Sequence, residues 1–356
     1  MAAPPGIADL KAELLQAWDT RGQPAPEPGS NAASFQAAIS RRPKSGLAIG
    51  HSLTGTGRPR LELRVTAAGG PNRIKAESLA ARARRADVET RLIVQPPPII
   101  PLLSASATAN IKIPGKRRPL HIGASVAHGM NDGAGSIGGF VKLPDGTVSI
   151  LSCSHVLARR PGGKVKPGDA ILQPGPPDPR VPANEVAFLT RAFAPLISRQ
   201  RDNLDAAVAR VADGQAHMGN RLPDHDCIPQ PLRGQPLGLP LEDDEGILDQ
   251  RVVKIGRSTG FTAGAVINSL DFDNLAAQFG PDGPIYLFNG VYELLWDKDE
   301  APFTAGGDSG AMILTEDGLR PVGLHFCAVG NQDGSRVSYV VPWARIRTIL
   351  GIEWHA

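Results

Sequence analysis

Between two apolar runs lies FTAGGDSGAMIL, Phe303 to Leu314. A serine hydroxyl is a weak nucleophile until a base takes its proton and donors receive the oxyanion that forms. Glycines let successive backbone amides turn inward at φ values other residues avoid. The amides of Gly307 and Ser309 would then point at one spot as an oxyanion hole, and the carboxylate of Asp308 would hold the loop rigid. The plainer reading is a hairpin turn, because Asp-Ser-Gly is common in turns.

The base must be a histidine held by a carboxylate. Of the eight histidines, His155 in ILSCSHVLA ends a predicted strand behind Ser152, Cys153 and Ser154, small residues that leave room around an imidazole. By itself it reads equally as a satisfied core or loop histidine. Asp205 in RDNLDAAVARV opens an apolar segment, where a carboxylate is costly without a hydrogen-bond partner and an imidazole N–H would serve. A turn aspartate or a helix cap is the alternative, and Asp202, in a more polar stretch, is the competing carboxylate. The three carry more together than apart. They run His, Asp, Ser with spacings of 50 and 104 residues. That order, with GDSG at the serine, is the chymotrypsin order; subtilisin and the α/β-hydrolases use others.

The elements that must position these residues read mostly as strands. Forty glycines and 33 prolines, about a fifth of 356 residues, suit short strands joined by turns better than a helical bundle. FVKLPDGTVSILS (140–152) is a hairpin around Pro144-Asp145-Gly146. DAAVARVA (205–212), RVVKIGRST (251–259), AGAVINSL (263–270), IYLFNGVYELLW (285–296), AMILTEDGLRPVGLHF (311–326) and RVSYVVP (336–342) read as strands, and WARIRTIL (343–350) as a closing helix. Ten or more such strands make a sandwich or one or two barrels. The N-terminal part differs in texture. Leu10, Leu14, Leu15 and Trp18 share one face of a helix over 7–19, 24–30 is a linker, LELRVT (61–66) is a strand and 75–86 a helix. PPPIIP (96–101) cannot continue a helix, so a boundary falls between about 96 and 119.

From about 120 to 350 the chain resembles the chymotrypsin/trypsin-like serine peptidases, through SCSHVLA, NLDAAVARV and GGDSGAMI followed by PVGLHF. With GASVAH, GAGSIGGFV, DAILQPG and KIGRSTGFTAGAV, the pattern is similar to intracellular bacterial trypsin-like proteins with an N-terminal extension and to the plant narrow-leaf family. The resemblance implies a mainly β fold of two packed six-stranded β-barrels behind a small α/β N-terminal extension. The extension would be 1–110, the first barrel 111–240 with His155 and Asp205, and the second 241–356 with Ser309 and the C-terminal helix. It implies a serine endopeptidase acting on protein or peptide substrates through a Ser309–His155–Asp205 triad and an acyl-enzyme, with no cofactor and no metal. Phe303, six residues before the serine, stands where an acid would select Arg or Lys. Thr304 and His325 in the expected pocket resemble enzymes that take Glu or Gln at P1. There is no Ile-Val-Gly-Gly start, so Asp308 must find a partner other than a freed N-terminus. Val156 follows His155 where many secreted members carry a disulfide cysteine. Two alternatives stay open: a non-catalytic peptide-binding scaffold on this fold, and an esterase or acyl transferase using the same triad.

Other features argue against other classes. A net charge of +3 is too small to imply nucleic acid, and the basic clusters at 82–91 and 116–118 read as solvated faces. No run of 18 apolar residues is long enough to span a membrane. Three widely spaced cysteines form no disulfide framework, and a reducing cytoplasm is the expected location. GAGSIG (133–138) precedes a strand instead of opening a helix, so it does not read as a dinucleotide site, and GRSTG (256–260) lacks the P-loop lysine. Asp224 to Cys227 reads as an acidic loop. Residues 1–110 are left to recruit a partner, occlude the cleft or mediate self-association.

Overall fold

The computed structural model describes residues 5–20, 46–66, 71–96, 98–100, 112–113, 117–131, 133–158, 164–176, 182–193, 203–279, 284–296, 301–330 and 335–355. In chain order, the extension holds α1 (Pro5–Thr20), β1 (Leu47–Leu53), β2 (Pro59–Thr66), α2 (Pro71–Arg85), β3 (Glu89–Gln95) and β4 (Ile99–Ile100). Next come β5 (Ser125–His128), β6 (Gly135–Ser136), β7 (Gly139–Lys142), β8 (Val148–Ser152), α3 (Ser154–Leu157), β9 (Ala170–Gln173), β10 (Asn184–Phe193) and β11 (Ala207–Val211). The last part holds β12 (Arg251–Gly256), β13 (Gly260–Asp273), β14 (Leu275–Phe279), β15 (Ile285–Phe288), β16 (Val291–Trp296), β17 (Met312–Thr315), β18 (Pro321–Gly330), β19 (Arg336–Pro342), α4 (Trp343–Leu350) and β20 (Glu353–Trp354).

Two curled antiparallel sheets carry the site. In the C-terminal part the pairings β12–β13–β16–β19–β18–β17 return to β12, which closes a six-stranded barrel. The preceding sheet runs β20–β7–β8–β11–β10–β9–β5–β6. It curls without a closing ladder among the described residues. β6 at one end and β7, next to β20 at the other, are consecutive on the chain and bend at Ile137–Gly138, where Gly138 N donates to Leu151 O at 2.9 Å. That bend needs glycine, because a Cβ on Gly138 would stand 2.3 Å from Gly310 O, in the serine loop of the other barrel. One continuous apolar core joins the two sheets, from Phe140 and Ile150 to Leu324 and Phe326.

Some expected elements divide differently. IYLFNGVYELLW breaks at Asn289-Gly290, with Gly290 at φ +56°, into β15, which pairs with β14, and β16, which pairs with β13 and β19. Glycine takes that positive φ at no steric cost, so the chain can leave one ladder for another there. AMILTEDGLRPVGLHF likewise splits into β17 and β18, turning at 316–320 with Leu319 at φ +50°. His155 lies just beyond its strand, in the single-turn helix α3 that follows β8.

The extension has a core of its own. Ile7, Leu10, Leu14 and Trp18 on α1 and Ala76, Leu79, Ala80 and Ala83 on α2 cover Leu61, Leu63 and Val65 of β2. β2 and β3 pair in parallel, connected by α2 as a βαβ unit. This sheet does not stop at the extension: β1 pairs antiparallel with β13, through Ile49↔Asp273 and His51↔Leu270. The linker read at 24–30 lies outside the described residues.

Candidate active site

The ladder between β8 and β11 brings His155 to Asp205. Its register includes Ala207↔Ser152, and continued past that pair it sets Asp205 beside Ser154 and His155. The carboxylate then holds the histidine twice. Asp205 Oδ1 accepts the His155 backbone N–H at 3.0 Å, and Oδ2 lies 2.5 Å from His155 Nδ1. Asn131 Nδ2 donates to His155 O at 3.2 Å and fixes the other end of the residue. With Nδ1 committed as donor, Nε2 is left as the acceptor. It is buried and makes no hydrogen bond among the described residues.

The serine loop is held by its carbonyls. Asp308 N donates to Ala305 O at 3.0 Å and Ser258 Oγ to Gly306 O at 2.6 Å. Ser136 Oγ donates to Gly307 O at 3.0 Å, Ala311 N to Asp308 O at 2.9 Å and Ser136 N to Ser309 O at 2.8 Å. Five successive carbonyls thus have donors, two from the loop's own amides and three from Ser258 and Ser136. Among the described residues, no acceptor faces the amides of Gly307 or Ser309. Gly307 and Gly310 stand at φ +96° and +85°. A Cβ on Gly310 would also lie 2.0 Å from Ser152 Oγ, so the loop requires glycine there for room as well as for φ. Ser309 Oγ is buried and, like His155 Nε2, has no hydrogen-bond partner among the described residues. Gly310 N donates to His325 O at 2.9 Å and Cys153 Sγ to the same carbonyl at 3.2 Å, so the serine and histidine loops are tied through β18.

Asp308 has its substitute partner. Its carboxylate accepts from Ser258 N (2.8 Å), Thr259 N (3.2 Å), Thr259 Oγ1 (2.8 Å) and Ala305 N (2.9 Å), and Lys254 Nζ lies 3.3 Å away. Burial opposes its charge, but Lys254 and the donors from Thr259 and Ala305 outweigh it and hold the carboxyl below the usual carboxylate range. Lys254 and Ser136 were not singled out from the sequence. A lysine between Val253 and Ile255 in a strand is the signal for the first. The second sits in GAGSIG, where its backbone and hydroxyl clasp the serine loop from the other sheet.

The remaining residues separate. Thr304 Oγ1 meets Ser338 Oγ at 2.8 Å, and both are buried. His325 is enclosed; burial pushes its imidazole down to about 3, and its Nδ1 has no hydrogen-bond partner among the described residues. Phe303 packs in the barrel core against Trp296, with Lys254 Nζ 5.7 Å from its ring. Cys153, His155 and Asp205 gather ligand atoms within 4.8 Å, but burial drives the Cys153 thiol well up, and a neutral thiol is a poor metal ligand. Arg233 pairs with the exposed Asp224 and Asp226 at 3.7 and 3.4 Å. Asp202 lies outside the described residues.

A mainly β pair of curled sheets with His155 and Asp205 on one and Ser309 on the other is a chymotrypsin-like double barrel. No family model matches the chain. No curated protein matches it either. Solved structures similar to it are serine proteases. A Nocardiopsis protease is 15% identical, with 68% of this chain and 99% of that one covered at a TM-score of 0.43. A glutamic-acid-specific serine protease, described as using a histidine triad in substrate binding, is 17% identical, with 66% and 100% covered at 0.42. Thermobifida fusca protease A is 16% identical, with 68% and 97% covered at 0.41.

Proposed function

We propose that the chain is a serine endopeptidase that cuts peptide bonds through an acyl-enzyme on Ser309. The supporting observation is a pair of complementary buried atoms, Ser309 Oγ and His155 Nε2, each without a hydrogen-bond partner. Unpaired buried polar atoms cost about 1–3 kcal/mol each and call for a functional reason. As general base, His155 takes the Ser309 proton as Oγ attacks the carbonyl carbon. The carbonyl electrons move to the oxygen, which the amides of Gly307 and Ser309 receive. His155 then returns the proton to the leaving amine. Asp205 keeps the ring in the Nδ1–H tautomer and stabilises its charged form. Water repeats the sequence on the acyl-enzyme.

At P1 we propose Gln or Glu. The ring N–H of His325 goes to the Tyr339 backbone, so the free Nδ1 of the neutral imidazole is an acceptor, which takes a hydrogen bond from a Gln carboxamide or from a protonated Glu carboxyl. A peptide library with P1 Arg or Leu preferred would contradict this.

The function is tested with a fluorophosphonate probe on the wild-type protein, Ser309→Ala and His155→Ala. Wild type is expected to label and Ser309→Ala not at all. His155→Ala should react slower by on the order of 10⁴. Labelling that survives Ser309→Ala, or is absent both from wild type and from a variant whose N-terminal extension is displaced, refutes the assignment. Turnover of peptides against small esters separates a peptidase from an esterase.

A further inference from the structure

β18 is longer than its hairpin partner. β17 pairs only with its first part, up to Met312↔Leu324. Beyond His325, which still bonds Ala311 and Gly310, that edge of β18 would be open, and β4 of the extension fills it, antiparallel, with Ile99 opposite Ala328. The other edge of β4 pairs in parallel with β14, through Gln278↔Ile99 and Phe279↔Ile100, and Gln278 N donates to Pro98 O at 2.8 Å. Ile100 is fully buried in the core that also holds Cys153, Val156 and Phe279. Phe279 meets the His155 ring edge-on, with centroids 6.0 Å apart.

Direction makes this pairing informative. Antiparallel to β18, the step from Ile99 to Ile100 leads toward His325, whose carbonyl is bonded to Gly310 beside the nucleophile. Further along the chain, Lys112 N donates to Ser258 O at 3.2 Å and Ile113 N to Arg257 O at 3.1 Å, on the turn that holds Gly306 and Asp308. The chain thus passes the strands and turns beside the serine loop twice, at β4 on β18 and just after the extension at 112–113. An extended peptide binds a sheet edge by adding a strand, with main-chain bonds for affinity and side-chain pockets for specificity. The free edge of β18 leading to Ser309 is where such a strand would lie.

We propose that β4 occupies this edge as an intramolecular stand-in for the part of a substrate upstream of the scissile bond. The extension then blocks peptide turnover in cis until β4 leaves. This rests on the peptidase reading above. It accounts for the burial of Ser309, His155 and Asp205, which are 0%, 1% and 0% exposed. It also selects extended peptides with an apolar side chain at the position Ile100 holds against Phe279.

The test uses the full chain. Directly opposed Cα atoms of an antiparallel pair lie within disulfide reach, so Ile99→Cys/Ala328→Cys can lock β4 in place. Oxidation of this variant, confirmed by mass, should cut peptide turnover at least about tenfold against the same protein reduced, because the open population falls. Wild type, with Cys153, Cys227 and Cys327, should respond little to the same treatment. Ile100→Asp, which places a carboxylate in the core, should raise peptide kcat/KM by about tenfold by expelling β4. Ser309 labelling in the reduced variant and in Ile100→Asp keeps the two readings apart. Labelling with turnover unchanged by the lock and by Ile100→Asp overturns the cis block alone. No labelling in either, with β4 in place or expelled, overturns the peptidase reading, and the block with it.

Discussion

His325 and His121 show how far enclosure alone can set the chemistry of a side chain. Burial pushes His325 down to about 3, against the attraction of Asp308, and His121 down to about 4. Both rings are neutral in the fold, while in the unfolded chain they protonate near 6.5. As pH falls below 6.5, the unfolded chain binds protons that the folded chain refuses. Stability is therefore full above that value and drains away until the folded rings titrate themselves. Unfolding by urea at pH 7.5 and 5.0 should show a loss of about 2 kcal/mol per ring. A flat profile would mean that these imidazoles are hydrated or paired. Asp308 acts in a separate window: with its folded carboxyl held low, its contribution persists above the usual carboxylate range and is lost only at more acidic pH.

The serine loop depends on β12 and the turn to β13 as much as on its own glycines. Lys254, in the middle of β12, is fully buried and its ammonium meets Asp308 at 3.3 Å and Thr259 Oγ1 at 2.5 Å. Lys254→Met would leave Asp308 enclosed without its cation, at a cost of about 3–5 kcal/mol. Lys254→Met/Asp308→Asn removes both charges and should recover a large part of that loss. Denaturant midpoints of the two variants decide it; equal losses would show that the carboxylate is held by its hydrogen bonds alone. This partnership follows from a strand and a turn meeting a loop some fifty residues later. The sequence required that Asp308 find a partner but did not say which one.

Across the whole molecule, one buried charge network joins the extension to the C-terminal barrel. Arg64 on β2 grips Glu293 on β16 with both forks, at 2.9 and 2.5 Å, and donates to Glu62 at 2.9 Å. Tyr339 and Asn268 donate to the same Glu293, and Gln95 at the end of β3 donates to Tyr339. Arg64, Glu62 and Glu293 are at most 1% exposed. Burial works against the charge on Arg64, but Glu293 and Glu62 more than restore it. Arg64→Met would leave Glu293 in the core without its cation, while Glu62 keeps Arg60 and Ser52, and would cost about 3–5 kcal/mol. If extension and barrel fold as one unit, that loss appears as a single shifted transition. Two separate transitions in Arg64→Met would show that this joint is what couples them.

His155, Asp205, Ser309 and Asp308 were legible in the sequence because each sits in a short pattern whose residue types match one chemical task. Alternating apolar runs and turn dipeptides revealed the strands for a related reason: side-chain alternation and turn chemistry are local properties. The same local view joined β15 to β16, passing over the break at Asn289-Gly290 that sends them to different partner strands. It also set aside GAGSIG as a weak motif, although Ser136 within it clasps the serine loop. Lys254 for Asp308, Arg64 for Glu293 and β4 for the edge of β18 required the folded chain. Each joins residues from 50 to more than 200 positions apart, and neither periodicity nor spacing records which distant partner meets a buried charge or an open sheet edge. Residue types and their local order determined what chemistry the chain could attempt. Tertiary packing decided what holds the site in place and what covers it, because desolvated charges and unpaired strand edges are satisfied only by groups that folding brings to them.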